Sequence, residues 1–473
     1  MKSPAEAEPN NEGRQSPSGD IPIITSPYSG ARGTAVKILN RIERSDAYLD
    51  KLLDIELKSD ELQGPDKGLL SELVHGVVRW QGRLDWLLGR FTHGNFPKSE
   101  VNIKNALRVA LYQILFLERL PQYAAVNEAV EFVKRLRSEK AANMVNAVLR
   151  TIIRNLDGIH YPNPAEDLLQ YLSVFYSHPQ WMVKRWLSRF PPAEVEKLLA
   201  ANNEIPPITL RINKLKIAPA AFLALLDEQR IPYIGSGLVD YFIKTKNLSG
   251  ISHIDLFRQG YFSIQDESAA LPALLLSPQP GERIIDMCAA PGGKTTLLAE
   301  LMTNQGEVMA IDRYEHKLNM IHQSCDRLGI TIVRPIVGDA TEMSIPPAGK
   351  VLLDAPCSGL GAIRKKPDIK WKREPEDILR LAKIQETLLE SAARAVGPGG
   401  VLVYSTCTTE PEENETMIRA FLLRHPEFSL DDPLKFVNRS VVSPDGFVIT
   451  LPHVHHLDGS FAVRLLKSTS LNG

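Results

Sequence analysis

Cysteine is scarce in this chain: only Cys288, Cys325, Cys357 and Cys407 occur among 473 residues. No two are spaced as a CxxC pair, so neither zinc nor any other metal is expected. Scattered thiols without a secretory leader exclude a disulfide framework and fit a reducing cytoplasm. No apolar run approaches the ~20 residues of a membrane span, so no membrane partner is expected. A charge excess is also missing: the formal net charge is −1, so any polyanion-binding character must be local. Two nucleotide signatures are absent as well. There is no GxGxxG, and Gly293-Lys294-Thr295 has Cys288 at the position where a P-loop needs glycine.

What is present divides into segments. Residues 1–30, rich in Pro, Ser, Glu and Asn, read as a disordered tail. Residues 31–158 read as an all-α bundle: Ala35, Ile38, Leu39 and Ile42 share one helical face, as do Leu107, Ala110, Leu111, Ile114 and Leu115. Basic residues outnumber acidic ones across this bundle, a weak signal for RNA. Tyr161 to Ala165, with two prolines, reads as a linker. Residues 165–260 read as a small α+β module with a strand at Ile208–Asn213. Residues 261–467 alternate strand and helix, which implies an α/β domain with a parallel sheet. There is no internal repeat, and a monomer is expected.

The chemistry concentrates in the last domain. Cys357 lies in Asp354-Ala-Pro-Cys-Ser-Gly-Leu-Gly361 and Cys407 in Val401-Leu-Val-Tyr-Ser-Thr-Cys-Thr408. Each follows an apolar strand-like run, which places both thiols at the carboxyl end of a sheet, where α/β folds bind ligands. An inert buried thiol is the ordinary fate of a cysteine; Cys288 and Cys325 suit it, whereas Cys357 and Cys407 suit a covalent step. Upstream, Arg283 to Glu300 reads as strand, glycine-containing turn and helix, and so as a loop whose backbone can meet a nucleotide or S-adenosylmethionine. Asp312, Asp339 and Asp354 then end three successive strands. Singly, each is an ordinary turn or cap residue; in series after such a loop they outline a cofactor cleft. Ile363 to Arg373 holds six basic residues, one acid and Trp371. A solvated face is the bland reading. Beside a candidate nucleophile, Arg364, Lys365, Lys366, Lys370 and Arg373 are candidates for RNA phosphates, with Trp371 as either a stacking platform or a core anchor.

Together Gln265-Asp-Glu-Ser268, Asp286-Met-Cys-Ala-Ala-Pro-Gly-Gly-Lys-Thr295, Asp354 to Gly361 and Ser405-Thr-Cys407 resemble the RNA cytosine-5 methyltransferases, nearest the Sun/RsmB (Fmu) group. Asp368 to Trp371 and Asp458-Gly-Ser-Phe461 add support. Leu120 to Val130 and Val145 to Arg150 look like a NusB-type RNA-binding domain. The resemblance implies transfer of a methyl group from S-adenosylmethionine to carbon 5 of a cytosine in small-subunit (16S) ribosomal RNA, with a Rossmann-like catalytic fold. It further implies that Cys288, Ala289, Ala290, Pro291, Gly292, Gly293 and Lys294 line the cofactor's methionine end and nearby ribose. Asp312 would bind the ribose hydroxyls, Asp339 the adenine, and Asp354 the target base or the methionine end. Lys317 stands where Arg is usual in a cofactor contact. Ser460 stands where Phe is expected, and Ala269 and Ala270 where Ser-Gln is usual. Cys407 would attack and Cys357 assist release; spacing alone leaves their order open. A tRNA cytosine-5 methyltransferase and a catalytically silent NusB-like RNA-binding factor are the alternatives.

Overall fold

The computed structural model describes residue 26 and residues 28–45, 47–59, 62–246 and 255–469. The expected tail falls almost wholly outside them. Six helices come first: α1 (Gly30–Arg44), α2 (Leu49–Lys58), α3 (Gly64–Phe91), α4 (Val101–Phe116), α5 (Gln122–Leu136) and α6 (Glu139–Arg154). They enclose one apolar core in which Ala35, Ile38, Leu39, Leu107, Ala110 and Leu111 are buried, as the helical spacing requires.

Three helices follow, α7 (Leu168–Phe175), α8 (Gln180–Leu187) and α9 (Pro192–Asn203). Met182, Val183, Trp186 and Leu199 share a core with Leu360, Ile363 and Ile378, residues from far down the chain. The stretch expected as a linker is itself docked. Tyr161 stacks on Trp86 at 5.4 Å and accepts a hydrogen bond from Arg83 Nε at 2.7 Å. Next come β1 (Ile208–Ile212), α10 (Pro219–Glu228), β2 (Ile234–Gly235), β3 (Phe242–Thr245), α11 (Asp255–Arg258) and β4 (Phe262–Ile264). Their sheet has the order β2-β3-β1-β4 and is antiparallel. Its apolar face packs into the same core as the last domain.

That domain contains α12 (Glu267–Leu276), β5 (Arg283–Met287), α13 (Gly293–Leu301), β6 (Glu307–Asp312), α14 (Glu315–Leu328) and β7 (Val333–Val337). After these come β8 (Ala348–Asp354), α15 (Ile369–Lys372), α16 (Pro375–Ala395), β9 (Val396–Thr406) and α17 (Glu415–Arg424). The chain ends on β10 (Phe428–Leu430), β11 (Val448–Thr450), α18 (Pro452–His455) and β12 (Ser460–Lys467). The main sheet has the order β10-β12-β9-β8-β5-β6-β7, with β11 paired to β12. β5 to β9 are parallel, but β12 runs antiparallel to β9. The sheet is therefore mixed rather than purely parallel, a common way to finish a doubly wound edge. Strand order reverses between β5 and β8, and such a switch point opens a crevice at the carboxyl ends of the strands.

Candidate active site

The loop after β5 lies on that crevice. Cys288 has φ 59° and Gly292 φ 100°, so the backbone turns back on itself before α13 begins. A Cβ on Gly292 would come within 3.0 Å of Ile321, which ties glycine to this close approach. Beneath the loop, Thr295 Oγ1 donates to buried Asp286 at 2.6 Å, and burial pushes the Asp286 carboxyl up to about 7. Burial also raises the thiols of Cys288 and Cys325, the latter to about 11, which leaves both protonated.

Acids line the adjoining strand ends. Asp312 closes β6; one of its oxygens accepts from Ala290 N at 3.2 Å and the other from Tyr314 N at 3.0 Å. Asp339 lies two residues past β7 and accepts from Thr341 Oγ1 at 2.6 Å, which holds its carboxyl below the ordinary range. Lys317, on the first turn of α14, sets its ammonium 4.5 Å over the Tyr314 ring. Asp354 closes β8 and accepts from Lys294 Nζ at 2.7 Å and Ser405 Oγ at 2.8 Å. As arranged, Asp354 accepts one hydrogen bond on each oxygen.

The two cysteines meet on the loops after the neighbouring strands β8 and β9. Cys357 Sγ lies 3.2 Å from Cys407 Sγ, and Cys407 is the exposed one. The hydrogen bond with Cys357 draws the Cys407 thiol below its ordinary pKa, against desolvation by the groups around its sulfur and the Asp354 charge, with help from Lys294 and Lys366. That same bond, together with burial, raises Cys357 far above the ordinary thiol range. The contact thus pulls the two thiols in opposite directions, Cys407 down and Cys357 up. Residue spacing alone could not order them; the two differ in exposure and in the direction of their shifts.

Comparison with known proteins agrees with this geometry. A family model described as 16S rRNA methyltransferase RsmB/F matches residues 273–466. A NusB family model matches residues 29–154, and the ferredoxin-like domain of RsmF/B-like methyltransferases matches residues 178–246. The probable ribosomal RNA small subunit methyltransferase B of Bacillus subtilis is 38% identical over 93% of this chain and 99% of its own. This chain belongs to the RsmB/F family of rRNA methyltransferases. The corresponding Synechocystis protein is 36% identical over the same shares, 93% and 99%. A methyltransferase homologue from Pyrococcus horikoshii superposes with a TM-score of 0.56 at 29% identity, over 64% of this chain and 99% of that one.

In this methyltransferase the basic run does not face RNA as expected. Lys370 is 0% exposed and Arg364 is 3% exposed. Trp371 donates from Nε1 to Val78 O at 2.7 Å and packs on the helical-domain core, so it is an anchor, not a stacking platform. Lys365 is bound between Asp266 and Asp458, the latter at 3.0 Å. Arg373 donates to Ser358 O at 2.9 Å. Of the five proposed phosphate contacts, Lys366 alone is exposed. Lys370 and Arg364 are corrected because a buried cation cannot reach a phosphate, whereas Lys365 and Arg373 are half-buried and already hold partners inside the protein.

Several residues of the site gave no sequence signal. Glu413 is fully buried and accepts from Ser358 N at 2.8 Å, from Ser358 Oγ, and from Gln385 Nε2 at 2.9 Å. It thereby clamps the residue after Cys357. Arg211, on β1 of the ferredoxin-like sheet, donates to Gly293 O at 2.8 Å, Thr296 Oγ1 at 2.9 Å and Glu300 at 2.8 Å. It fixes the start of α13 from another domain. The Asp458-Gly-Ser-Phe461 motif acquires a reason too. Gly459 N donates to Gly361 O at 2.8 Å, and a Cβ on Gly361 would meet Gly459 O at 1.9 Å. Among the described residues there is no cluster of His, Cys, Asp and Glu able to hold a metal, and no helix long and apolar enough to cross a membrane.

Proposed function

We propose that this chain moves a methyl group from S-adenosylmethionine to carbon 5 of a cytosine in small-subunit ribosomal RNA, through a covalent bond between Cys407 and the base. The observation that carries the proposal is the Cys357–Cys407 contact of 3.2 Å beside the Lys294–Asp354 pair, at the carboxyl edge of the sheet.

The residues fit the cofactor. The open backbone of Gly292 and Gly293 and the start of α13 suit close approach of a ligand, and a Cβ on Gly293 would meet nothing nearer than 3.7 Å. Cys288 to Lys294 would hold the methionine end, Asp312 the ribose hydroxyls and Asp339 the adenine amino group. S-adenosylmethionine, when bound, supplies an electrophilic methyl group on a sulfonium.

The Cys407 thiolate gives an electron pair to carbon 6 of cytosine and forms a C–S bond. Carbon 5 then carries enamine density toward the methyl group, whose bond to the sulfonium sulfur would break, leaving a thioether, as the new C–C bond forms. Loss of the carbon-5 proton to water leaves its C–H bonding pair to re-form the double bond between carbons 5 and 6, and the C–S pair departs with Cys407 as thiolate. Cys357 aids this exit, because its retained S–H donates to the departing sulfur and restores the resting contact. A base must leave its stack for this attack, so single-stranded or loop RNA is the suitable target. The test is methyl transfer from labelled S-adenosylmethionine into purified small-subunit rRNA and, separately, tRNA. Label recovered as 5-methylcytidine from rRNA is the expected result. Label confined to tRNA, or recovered in another nucleoside, overturns it.

A further inference from the structure

The segment that links Cys357 to α16 is held from outside its own domain. Lys370 Nζ donates to Arg79 O at 2.7 Å, Ser177 O at 2.8 Å and Asn203 Oδ1 at 3.1 Å. These three acceptors use all three donors of an ammonium and come from α3, the turn after α7, and the end of α9. Trp371 Nε1 binds Val78 O, one residue earlier on α3. Arg79 reaches back from the same turn and donates to Arg364 O at 3.0 Å. Asp368 accepts from Leu49 N at 3.4 Å, at the start of α2.

The helical domain is shaped to receive this segment. Gly82 N donates to Ser177 Oγ at 2.9 Å, and a Cβ at Gly82 would lie 2.9 Å from the Trp371 ring. At its other end the segment returns to the reacting sulfurs. Arg373 Nε donates to Ser358 O at 2.9 Å, Ser358 follows Cys357, and Gly361 N donates to Cys407 O at 3.1 Å. A continuous run of hydrogen bonds therefore leads from the middle of α3 to both cysteine loops.

We propose that Lys370 and Trp371 are positioning residues through which the helical domain sets Cys357 against Cys407. The inference rests on the two-cysteine reading above and adds to it. The helical domain is then a structural part of the active site as well as a module matched to the NusB family. Exposed lysines could be exchanged at little cost, but a buried lysine nitrogen with three acceptors fixes one arrangement, because any other leaves polar groups unpaired.

The test uses the full chain and three variants: Lys370→Met, Lys370→Arg and Trp371→Phe. Trp371→Phe keeps an aromatic ring and deletes the Nε1 donor. For each, kcat and KM are measured on small-subunit rRNA, and Cys407 alkylation by iodoacetamide is followed against pH by mass spectrometry of its peptide. Trp371→Phe is expected to lower kcat about tenfold with KM unchanged. Lys370→Met should approach the ~10²-fold cost of an ångström-scale misplacement. In both, the midpoint of Cys407 alkylation moves to higher pH as the Cys357 hydrogen bond loosens, and Lys370→Arg recovers part of the shift. An unchanged midpoint and kcat in folded variants, even with a lower melting temperature, overturns the proposal by making the contacts merely structural. If Lys370→Met does not fold, Trp371→Phe decides. A shifted midpoint in a protein that fails to methylate cytosine would sustain the positioning role while defeating the proposed reaction.

Discussion

The loop at 288–294 and the segment at 361–373 both follow a parallel strand, and both carry residues that a nucleotide or polyanion seeks. The first stays on the sheet edge: backbone, Lys294 and the neighbouring acids meet there. The second turns its charges inward, with Lys370 and Arg364 buried and Trp371 lodged on the helical core. The difference lies in what supplies the partners. The glycine loop's chemistry comes from backbone geometry and from strand ends that topology must bring together. The basic segment's partners include a carboxylate and a carbonyl some 100 and 290 positions away in the chain, which no local pattern announces.

The largest test of the contrast is at the sheet edge. Cys407→Ala is expected to abolish turnover while calorimetry still shows cofactor binding. Cys357→Ala should instead trap a covalent protein–RNA adduct on denaturing gels. Full activity in the first variant, or only free protein in the second, would reverse or remove the assigned roles.

Arg211→Met comes next. It strips the start of α13 of its cross-domain support and leaves Glu300 buried without its ion pair, a loss of about 3–5 kcal/mol. Weaker S-adenosylmethionine binding and a lower melting temperature are expected together. Unchanged affinity would mean that the ferredoxin-like sheet does not shape the cofactor loop.

Smaller in effect, Lys366→Ala should reduce rRNA affinity and flatten the slope of log affinity against log salt by about one. Trp371→Phe should leave that slope alone. Filter binding across a salt series separates the two, and equal slopes for Lys366→Ala and the parent would remove Lys366 as a phosphate contact.

The subtlest expectation concerns Asp286. Its folded pKa, about 7, lies above the unfolded value near 4, so the native state holds the proton more tightly. Stability is fully present below pH ~4 and declines as pH rises to about 7, beyond which the loss is constant. Asp286→Asn should cancel that decline, so its melting temperature relative to the parent rises between pH 4 and pH 8. A parallel pH dependence in both proteins would show that Asp286 is ionised throughout.

Legibility varied by residue for physical reasons. The helical stripes of the first domain were readable because amphipathic spacing follows directly from 3.6 residues per turn. Asp312 and Asp354 were readable because an acid just after an apolar strand has only one place to go. The antiparallel β12 was missed, since strand direction depends on a connection and not on strand composition. Glu413, Arg211 and Gln385 were missed because each acts as a buried partner to a distant loop, and their own neighbourhoods look ordinary.

By itself the sequence determined that a glycine-bearing loop, three strand-end acids and two cysteines would gather at one edge of an α/β sheet. Local propensity and alternation of strand and helix leave few other arrangements. Only the tertiary structure decided that the two sulfurs meet and where the basic residues go. Both depend on distances between groups far apart in the chain: a 3.2 Å contact between sulfurs, and an ammonium enclosed by three carbonyl-type acceptors from three separate elements. Hydrogen bonding and desolvation act through space, so the charge state and accessibility of a side chain are settled after the chain has folded.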